Sequence, residues 1–375
     1  MTNAYDYQFS QFDFEKEYEK MKNRIIKPNI LICGATGVGK STVVNYIFGE
    51  ELAAVGSGQP VTEGIERYEM DEVDIVLYDS EGYEIGAERQ TAFQDNILGL
   101  IDSRLDKQME EQIHLVWYTI SAANKRVTDL DLSLIQSLRQ RGVAVAILLT
   151  QIDSVDASEL AALKEVLTEQ LPMTKIFTLS IFDLPEEFLQ WDELVDWSIN
   201  SLPEQLREGF IRSLKRSIDQ KRTHVIKKII PKYTTIAAGI AVSPVPMSDA
   251  ALLMPTQMKM YMEILHLYGV DRIGNNLKAI LNGTLLSQLG KRAAAFLTGQ
   301  VLKYFPGLGT VAGAAINTTV ASSFTYAAGM VCLEATYQYS KRIINGESIA
   351  FEEIFNMIDI DGLFDLFMKK EERQA

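Results

Sequence analysis

Eight residues near the start of the chain have the types and spacing of a phosphate-binding loop. The run Gly34-Ala35-Thr36-Gly37-Val38-Gly39-Lys40-Ser41 fits the P-loop pattern G-x-x-x-x-G-K-[ST] and follows the apolar run Ile30–Cys33. Glycines let several backbone N–H groups converge on one anion, and a helix beginning near Lys40 adds its partial positive charge. We expect Lys40 to bridge the β- and γ-phosphates of a nucleotide and the Ser41 hydroxyl to ligate Mg²⁺. The predicted nucleotide-binding residues here are Gly34, Thr36, Gly37, Val38, Gly39, Lys40, Ser41 and Thr42.

A second candidate group lies at the end of the next apolar run. Residues 73–78 lead into Asp79-Ser80-Glu81-Gly82, which has the pattern D-x-x-G. Asp79 would hold Mg²⁺ through water, and the N–H of Gly82 would contact the γ-phosphate. Thr62, between the two motifs, would coordinate Mg²⁺ in the GTP state. A plain acidic turn and a surface-loop threonine are the alternatives that stay open. The predicted catalytic residues are Lys40, Thr62 and Gly82, and the predicted metal ligands are Ser41, Thr62 and Asp79.

The choice of base is predicted by Thr150-Gln151-Ile152-Asp153, which approximates the pattern [NT]-K-x-D. The two oxygens of Asp153 can accept hydrogen bonds from the guanine N1–H and amino group, and adenine offers no such donor pair. Gln151 stands where the pattern has lysine, which weakens the expected packing over the base. Farther on, Ser180 and Ile181 occupy the place of a short segment that lines guanine. Thr150, Gln151, Asp153, Ser180 and Ile181 therefore complete the predicted site for GTP and GDP.

The elements that position these residues alternate between strand and helix, which indicates an α/β domain with a mostly parallel sheet and helices on both faces. After residue 203 the strand signals stop, and we expect an all-α helical domain. The predicted divisions are an N-terminal helix in 1–28, a GTP-binding G domain over 29–202, and a helical domain over 203–375. The predicted segments of the first two are helix 9–27, strand 29–33, helix 40–49, loop 55–64, hairpin 65–70 with 73–78, helix 88–104, strand 113–120, helix 129–141, strand 143–149, helix 157–170, strand 175–179 and helix 191–200.

The helical half begins with a basic amphipathic pattern over 204–230. Alanine-, glycine- and threonine-rich helical segments follow, with breaks expected at 243–246, at Pro255 and at 305–307. The 30 residues of 304–333 carry no formal charge and are long enough to span a bilayer. They also contain several polar side chains, so buried helices, peripheral membrane contact and a stable span all stay open.

Composition restricts the partners and the compartment. The net charge is −14, yet residues 201–345 contain 17 Lys and Arg against 7 Asp and Glu. The acidic front half therefore excludes broad nucleic-acid binding, and no DNA partner is expected. The basic half leaves anionic lipid or the acidic half itself as partners. Two cysteines without a signal peptide indicate a reducing, cytoplasmic location, with the inner face of a membrane as an alternative.

These motifs, in this order, resemble the translation-factor-related class of P-loop GTPases. The loop form with Thr36-Gly37 and Ser41-Thr42 is similar to the septin, chloroplast-translocon and immunity-related branch, which adjoins the Era-like GTPases. The resemblance covers residues 29–200 and implies hydrolysis of GTP to GDP and phosphate with Mg²⁺, as a nucleotide-dependent switch. Tyr83 departs from it, because Ras-like proteins carry a water-orienting Gln after the D-x-x-G glycine. Slow intrinsic hydrolysis is therefore expected unless an arginine in trans or a partner copy completes the site.

Residues 235–340 resemble a bacterial helical domain of unknown function that occurs behind such G domains and is suspected of membrane association. The resemblance rests on Ser243-Pro244-Val245-Pro246 and on the segment 305–317. The resemblance by itself implies little chemistry. We expect the helical domain to act as an effector that responds to the nucleotide, and action at a membrane, in the immunity-related or dynamin-like manner, stays open. The alternatives are a GTP-dependent oligomerising scaffold that dimerises through the G domain and, less favoured, an Era-like ribosome-assembly GTPase. The latter is disfavoured because no K-homology signature is present.

Overall fold

The computed structural model describes residues 12–49, 59–62, 64–69, 73–83, 87–182, 184–241, 249–272, 277–285, 289 and 318–372. Contacts divide the chain into two compact units. We call Ile25–Ser217 the sheet unit, and Met1–Arg24 together with Ile218–Ala375 the helical unit. The domain ranges expected from the sequence, 1–28, 29–202 and 203–375, stay predictions.

The sheet unit is built on one mostly parallel sheet. In the described residues it has seven strands in the order β2-β3-β4-β1-β5-β6-β7. Strands β4, β1, β5, β6 and β7 run parallel, whereas β3 is antiparallel to β4 and β2 to β3. The carboxyl ends of the parallel strands therefore meet at one edge. The strands are β1 (Asn29–Gly34), β2 (Gln59–Thr62), β3 (Ile65–Glu69), β4 (Val76–Ser80), β5 (Leu115–Ser121), β6 (Ala144–Thr150) and β7 (Lys175–Thr178).

Helices cover both faces of this sheet, because alternate residues of each buried strand point to opposite sides. Leu31 and Cys33 of β1 belong to one apolar core cluster, and Ile30 and Ile32 belong to the other. Numbered after an N-terminal helix α1 (Phe14–Lys22), the helices of this unit are α2 (Lys40–Phe48), α3 (Ala87–Asp102), α4 (Asp129–Gln140), α5 (Ala157–Gln170), α6 (Trp191–Ser201) and α7 (Glu204–Ser213). Helices α3, α4 and α5 cover the first face, and α2, α6 and α7 cover the second. The predicted α/β class is confirmed.

Two predictions about the elements of this unit are wrong. The loop expected over 55–64 contains strand β2, which extends the sheet beyond the predicted hairpin. The basic helix expected over 204–230 is interrupted after Ser213, where Leu214 adopts an extended backbone. Leu214 is 1% exposed in the sheet core, and the N–H of Lys215 donates to the carbonyl of Ile47 at 2.9 Å. Core burial and a new backbone hydrogen bond at the end of α2 thus outweigh helical continuity.

The helical unit is centred on the long helix α12, against which α9, α10 and α14 pack. Close packing is possible because Gly329 of α12 faces Met260, and a Cβ there would lie 2.9 Å from the Met260 sulfur. Helix α10 runs through Pro255, so the break predicted there is wrong. The helices are α1 (Phe14–Lys22), α8 (Ile218–His224), α9 (Ile230–Ala241), α10 (Asp249–Tyr268), α11 (Leu277–Ala279), α12 (Thr318–Ile344), α13 (Phe351–Met357) and α14 (Ile360–Glu372), with π-helical turns at Val225–Ile229 and Ile280–Leu285.

The uncharged segment 304–333 is only partly described. Residues 304–317, which include the segment 305–317 that resembles the bacterial helical domain, lie outside the described residues. Helix α12 begins at Thr318. Among the helices that the structure describes, none is both long and apolar enough to cross a membrane.

Candidate nucleotide-binding site

The phosphate loop begins where β1 ends and finishes where α2 starts. Gly34 closes the strand with φ +142°, and a Cβ there would lie 2.2 Å from the carbonyl oxygen of Thr119 on β5. Gly39 has φ +93° and immediately precedes α2, whose first residue is Lys40. Glycine is needed at both positions because L side chains rarely adopt such φ values. The backbone therefore turns sharply from strand to helix, and free N–H groups of the first turn of α2 border the loop.

Lys40 turns its ammonium group back over the loop. Its Nζ donates to the carbonyl oxygens of Gly34 and Ala35, at 3.2 Å each. Burial lowers the pKa of Lys40, and the nearby Asp79 carboxylate opposes that shift. Burial raises the pKa of Asp79 to about 6, with Lys40 opposing the rise. The opposite charges of Lys40 and Asp79 therefore stabilise each other electrostatically near the carboxyl ends of β1 and β4.

The predicted metal ligands can be tested against the chemistry of Mg²⁺, which prefers oxygen ligands and retains several waters. Oδ1 of Asp79 is buried and has no hydrogen-bond partner among the described residues. Ser41, in the first turn of α2, is exposed. An orphaned carboxylate oxygen and an accessible hydroxyl fit that ion. The backbone of Thr62 ends β2, but its side chain lies outside the described residues, so its predicted role stays a prediction.

Gly82 lies directly against the phosphate loop. The Oγ of Thr36 donates to the Gly82 carbonyl at 3.0 Å, and the Thr36 N–H donates to the Tyr83 carbonyl at 3.3 Å. A Cβ on Gly82 would lie 2.3 Å from the Thr36 nitrogen, so only glycine fits. The structure therefore brings the D-x-x-G segment and the P-loop together.

The segment after β6 is attached to the same loop. Oγ1 of Thr150 donates to the Val38 carbonyl at 2.5 Å and lies 3.3 Å from the Ile120 carbonyl. The Gln151 amide nitrogen donates to the Gly37 carbonyl at 3.2 Å, while its oxygen accepts from the Ser121 hydroxyl. The amide group of Gln151 thus links the P-loop to β5. This link was not predicted from the sequence, where Gln151 was considered only as a replacement for a lysine that packs over the base.

Asp153 extends from this segment toward the segment that follows β7. Its Oδ1 accepts from the Ser180 hydroxyl at 2.6 Å, and its side chain is otherwise exposed. The Ser180 hydroxyl also accepts the Phe182 N–H at 3.0 Å, and the Ser180 carbonyl accepts the Trp191 indole N–H at 3.1 Å. Ile181 is 56% exposed. Asp153, Ser180 and Ile181, all predicted base-site residues, therefore share one edge of the sheet unit.

Sequence reasoning missed Asp131, which binds the residue after Gly82. Oδ1 of Asp131 accepts from the Tyr83 hydroxyl at 2.8 Å. Burial raises the pKa of Tyr83 to about 12, so the phenol keeps its proton and donates. The signal that could have found Asp131 is the spacing Thr128-x-x-Asp131, a capping box at the start of α4. That spacing predicts a helix start, whereas the contact with Tyr83 requires the fold.

Comparisons with known proteins agree with this geometry. Residues 29–151 match the family described as 50S ribosome-binding GTPase, and residues 207–347 match a domain of unknown function, DUF697. Septin-14 of Homo sapiens is 24% identical over 201 residues, which cover 47% of this chain and 45% of the septin. The probable GTP-binding protein EngB of Aquifex aeolicus is 26% identical over 143 residues, covering 37% of this chain and 74% of EngB. The chain spans less than half the length of the septins it matches.

A solved structure of Toc33 from Arabidopsis thaliana, in complex with Mg²⁺ and GMPPNP, is 15% identical. It covers 53% of this chain and 94% of Toc33, with a TM-score of 0.35, a value that carries no assignment by itself. The assignment rests instead on the ordered motifs, their meeting at one sheet edge, and the two family matches. The chain therefore combines a domain of the P-loop GTPase family, matched over residues 29–151, with a C-terminal DUF697 domain, matched over residues 207–347.

Proposed function

We propose that this protein hydrolyses GTP to GDP and phosphate with Mg²⁺ and acts as a switch whose nucleotide state is transmitted to the helical unit. The observation that carries the proposal is the joining of the phosphate loop to the base-selecting segment. Thr150 and Gln151 each donate to a P-loop carbonyl, and Asp153 follows two residues later. A nucleotide that places its phosphates on the loop is thereby offered a carboxylate for its base.

Each predicted residue has a distinct role in this proposal. Lys40 stabilises charge on the β- and γ-phosphates, and the N–H of Gly82 donates to the γ-phosphate. Ser41, Thr62 and Asp79 would hold Mg²⁺, which neutralises charge on the phosphate oxygens when bound. Lys40 lies where an anion is favoured, because among the described residues its ammonium donates to the neutral carbonyl oxygens of Gly34 and Ala35, which do not neutralise its charge.

Slow intrinsic turnover is part of the proposal. A residue that orients the attacking water must have a polar group free to face the γ-phosphate. The Tyr83 hydroxyl instead donates to Asp131, and its ring packs on Phe93 with centroids 5.1 Å apart. A water-orienting group must then come from elsewhere, either an arginine in trans or a second copy of this chain facing the first through the GTP-binding domain.

Nucleotide selectivity tests the binding half of the proposal. Asp153→Asn should lower GTP affinity by roughly a hundredfold, because the negative charge is lost and one of the two accepting oxygens becomes an NH₂ donor that cannot pair with a guanine donor. The same variant should bind XTP better than the wild type does, since xanthine has a carbonyl where guanine has its amino group. Lys40→Ala is the reference variant and should bind neither GTP nor XTP. Titration calorimetry with GTP, ATP and XTP measures the affinities of the wild type and of both variants, and an unchanged GTP-over-ATP preference in Asp153→Asn would contradict the base assignment.

Single-turnover hydrolysis over a range of protein concentrations tests the catalytic half. A rate that rises with concentration supports completion of the site by a second copy. The alternative function, a GTP-dependent oligomerising scaffold, predicts oligomers without phosphate release at any concentration. An Era-like ribosome-assembly role is less favoured, because the sequence after the GTP-binding domain carries no K-homology signature.

A membrane-surface role of the helical unit is a separate proposal with weaker support. The basic segment that suggested it uses some of its cations internally, since Arg212 pairs with Asp74 and Arg222 pairs with Glu334. Co-sedimentation with anionic liposomes in Mg·GTP and in Mg·GDP tests this role. Pelleting that depends on GTP would support it, and no pelleting in either state would remove it.

A further inference from the structure

Tyr83 is held at both its backbone and its side chain. Its carbonyl accepts the Thr36 N–H of the P-loop at 3.3 Å, next to the bond from the Thr36 hydroxyl to the Gly82 carbonyl. Its hydroxyl donates to Oδ1 of Asp131 at 2.8 Å and lies 3.4 Å from the Thr128 hydroxyl. One residue therefore connects the phosphate loop to the first turn of α4.

The Asp131 carboxylate is a rigid attachment point. It is 4% exposed, and its Oδ1 accepts from the hydroxyls of both Tyr83 and Tyr118, each at 2.8 Å. Its Oδ2 accepts from the backbone N–H and the hydroxyl of Thr128, at 2.9 and 2.7 Å. Four donors thus fix a carboxylate that also stands at the favourable N-terminal end of a helix. A side chain bonded to this group has little freedom to move.

Space at Gly82 is equally restricted on the P-loop side. A Cβ on Gly82 would lie within 2.6 Å of three atoms of Thr36, so the two backbones are in direct contact. Tyr83 and Thr36 therefore confine Gly82 between them. The peptide proposed to donate to a γ-phosphate is held beside the phosphate loop by the protein's own contacts.

We propose that Tyr83 is a positioning residue that, through Asp131, holds the Gly82 N–H ready for the γ-phosphate and so favours GTP over GDP. This inference rests on the proposed function. Ordering a flexible segment upon binding costs free energy, and a segment that is already ordered avoids that cost. GDP has no γ-phosphate, so the benefit applies to GTP alone. Tyr83 thus exchanges the water-orienting role found at this position in Ras-like proteins for one in nucleotide discrimination.

The chain supplies a matched pair of variants for the test. Tyr83→Phe and Tyr118→Phe each remove one phenol hydroxyl that donates to the same Asp131 oxygen at the same distance. Of the two, Tyr83 follows Gly82 directly and its carbonyl accepts the Thr36 N–H, whereas Tyr118 lies within β5. We expect Tyr83→Phe to lower Mg·GTP affinity roughly tenfold, the effect of one hydrogen bond to a charged group, and to change Mg·GDP affinity less than twofold. Tyr118→Phe should leave the ratio of the two affinities unchanged.

Titration calorimetry of both nucleotides gives the ratio directly. The proposal is overturned if Tyr83→Phe leaves the GTP-to-GDP ratio unchanged, lowers both affinities equally, or lowers the ratio no more than Tyr118→Phe does. If Tyr83→Phe does not fold, Thr36→Val serves as the second variant. It changes an exposed position, removes the hydrogen bond from the Thr36 hydroxyl to the Gly82 carbonyl, and is expected to lower the same ratio. A wild-type protein that binds no Mg·GTP would refute the proposed function instead, so the two failures are distinguishable.

Discussion

Two glycines of the site are required by contacts between backbones and not only by access to a phosphate. Gly34 faces the carbonyl of Thr119 on the neighbouring strand, and Gly82 faces the backbone of Thr36. The P-loop pattern predicts that Gly34 binds phosphate, and its register opposite Thr119 shows that the sheet also requires glycine there. Gly37, by contrast, stands at a variable position of the pattern and has open space where a Cβ would lie. Glycines of one loop therefore have different physical roles.

Alanine substitutions at these positions should separate the duties. Gly34→Ala places a Cβ 2.2 Å from a backbone oxygen at φ +142°, so strain and overpacking should lower the free energy of unfolding by about 2–4 kcal/mol. Gly37→Ala has φ +75° with nothing within 4 Å, so the cost should be about 1 kcal/mol. Urea unfolding followed by tryptophan fluorescence measures both, because Trp117, Trp191 and Trp197 all belong to the sheet unit. Equal costs would contradict the argument.

At the scale of elements, α7 is joined to the sheet by a buried ion pair. Arg212 is 5% exposed and pairs with Asp74, which lies just before β4 and is 9% exposed. The N–H of Asp74 also donates to the Ser213 hydroxyl at 2.8 Å. A Cβ on Gly209 would lie 2.7 Å from the Ile26 carbonyl oxygen, so the helix packs directly on backbone. These contacts explain why α7 belongs to the sheet unit.

Replacing one partner of this ion pair should lower the free energy of unfolding far more than replacing both partners. Arg212→Met leaves a buried carboxylate without its cation and should cost about 3–5 kcal/mol of stability. The double variant Asp74→Asn/Arg212→Met should cost clearly less, because no uncompensated charge remains. Asp102→Asn is the control, since Asp102 is 49% exposed in its pair with Arg141 and should cost about 1 kcal/mol or less. Urea unfolding by tryptophan fluorescence measures these, and a double variant as unstable as Arg212→Met would refute the explanation.

At the scale of the whole molecule, the chain enters the helical unit twice. Helix α1 packs there before the sheet unit begins, and the chain returns at Ile218. The Tyr18 hydroxyl donates to Asp271 at 2.5 Å, and Asp271 also bonds His266 at 2.7 Å. Glu17 pairs with Lys259 at 2.7 Å. The sheet unit is therefore covalently joined to the helical unit at both of its ends.

Tyr18→Phe should destabilise one unit and spare the other. Loss of a partly buried hydrogen bond to a carboxylate should cost about 1.5–3 kcal/mol, confined to the helical unit. Far-UV circular dichroism detects both units, whereas tryptophan fluorescence reports only the sheet unit. We expect a lower thermal midpoint by dichroism and an unchanged one by fluorescence. Glu19→Gln, on an exposed position of α1, should change neither. A fall in the fluorescence midpoint of Tyr18→Phe would contradict the assignment of α1.

The extent of successful prediction differs between the two units. Strong periodicity predicted the strands and helices of the sheet unit to within a few residues, because a strand buried on both faces is a continuous apolar run. Strand β2 escaped prediction because its pairing with β3, not its composition, makes it a strand. Helix 204–230 was wrong because amphipathic periodicity does not record that Leu214 enters another core.

The amino-acid sequence by itself determined the ligand class, a guanine nucleotide, through the types and order of its motifs, and the roles predicted for Lys40, Asp79 and Asp153 rest on the chemistry of phosphate, Mg²⁺ and guanine. Only the tertiary structure decided what surrounds them. Tyr83 shares Asp131 with Tyr118, and Gln151 contacts the P-loop, because parallel strands bring residues far apart in sequence to one edge. Local motifs encode which groups a ligand meets. Contacts at long sequence separation decide how firmly those groups are held, and no local pattern contains them.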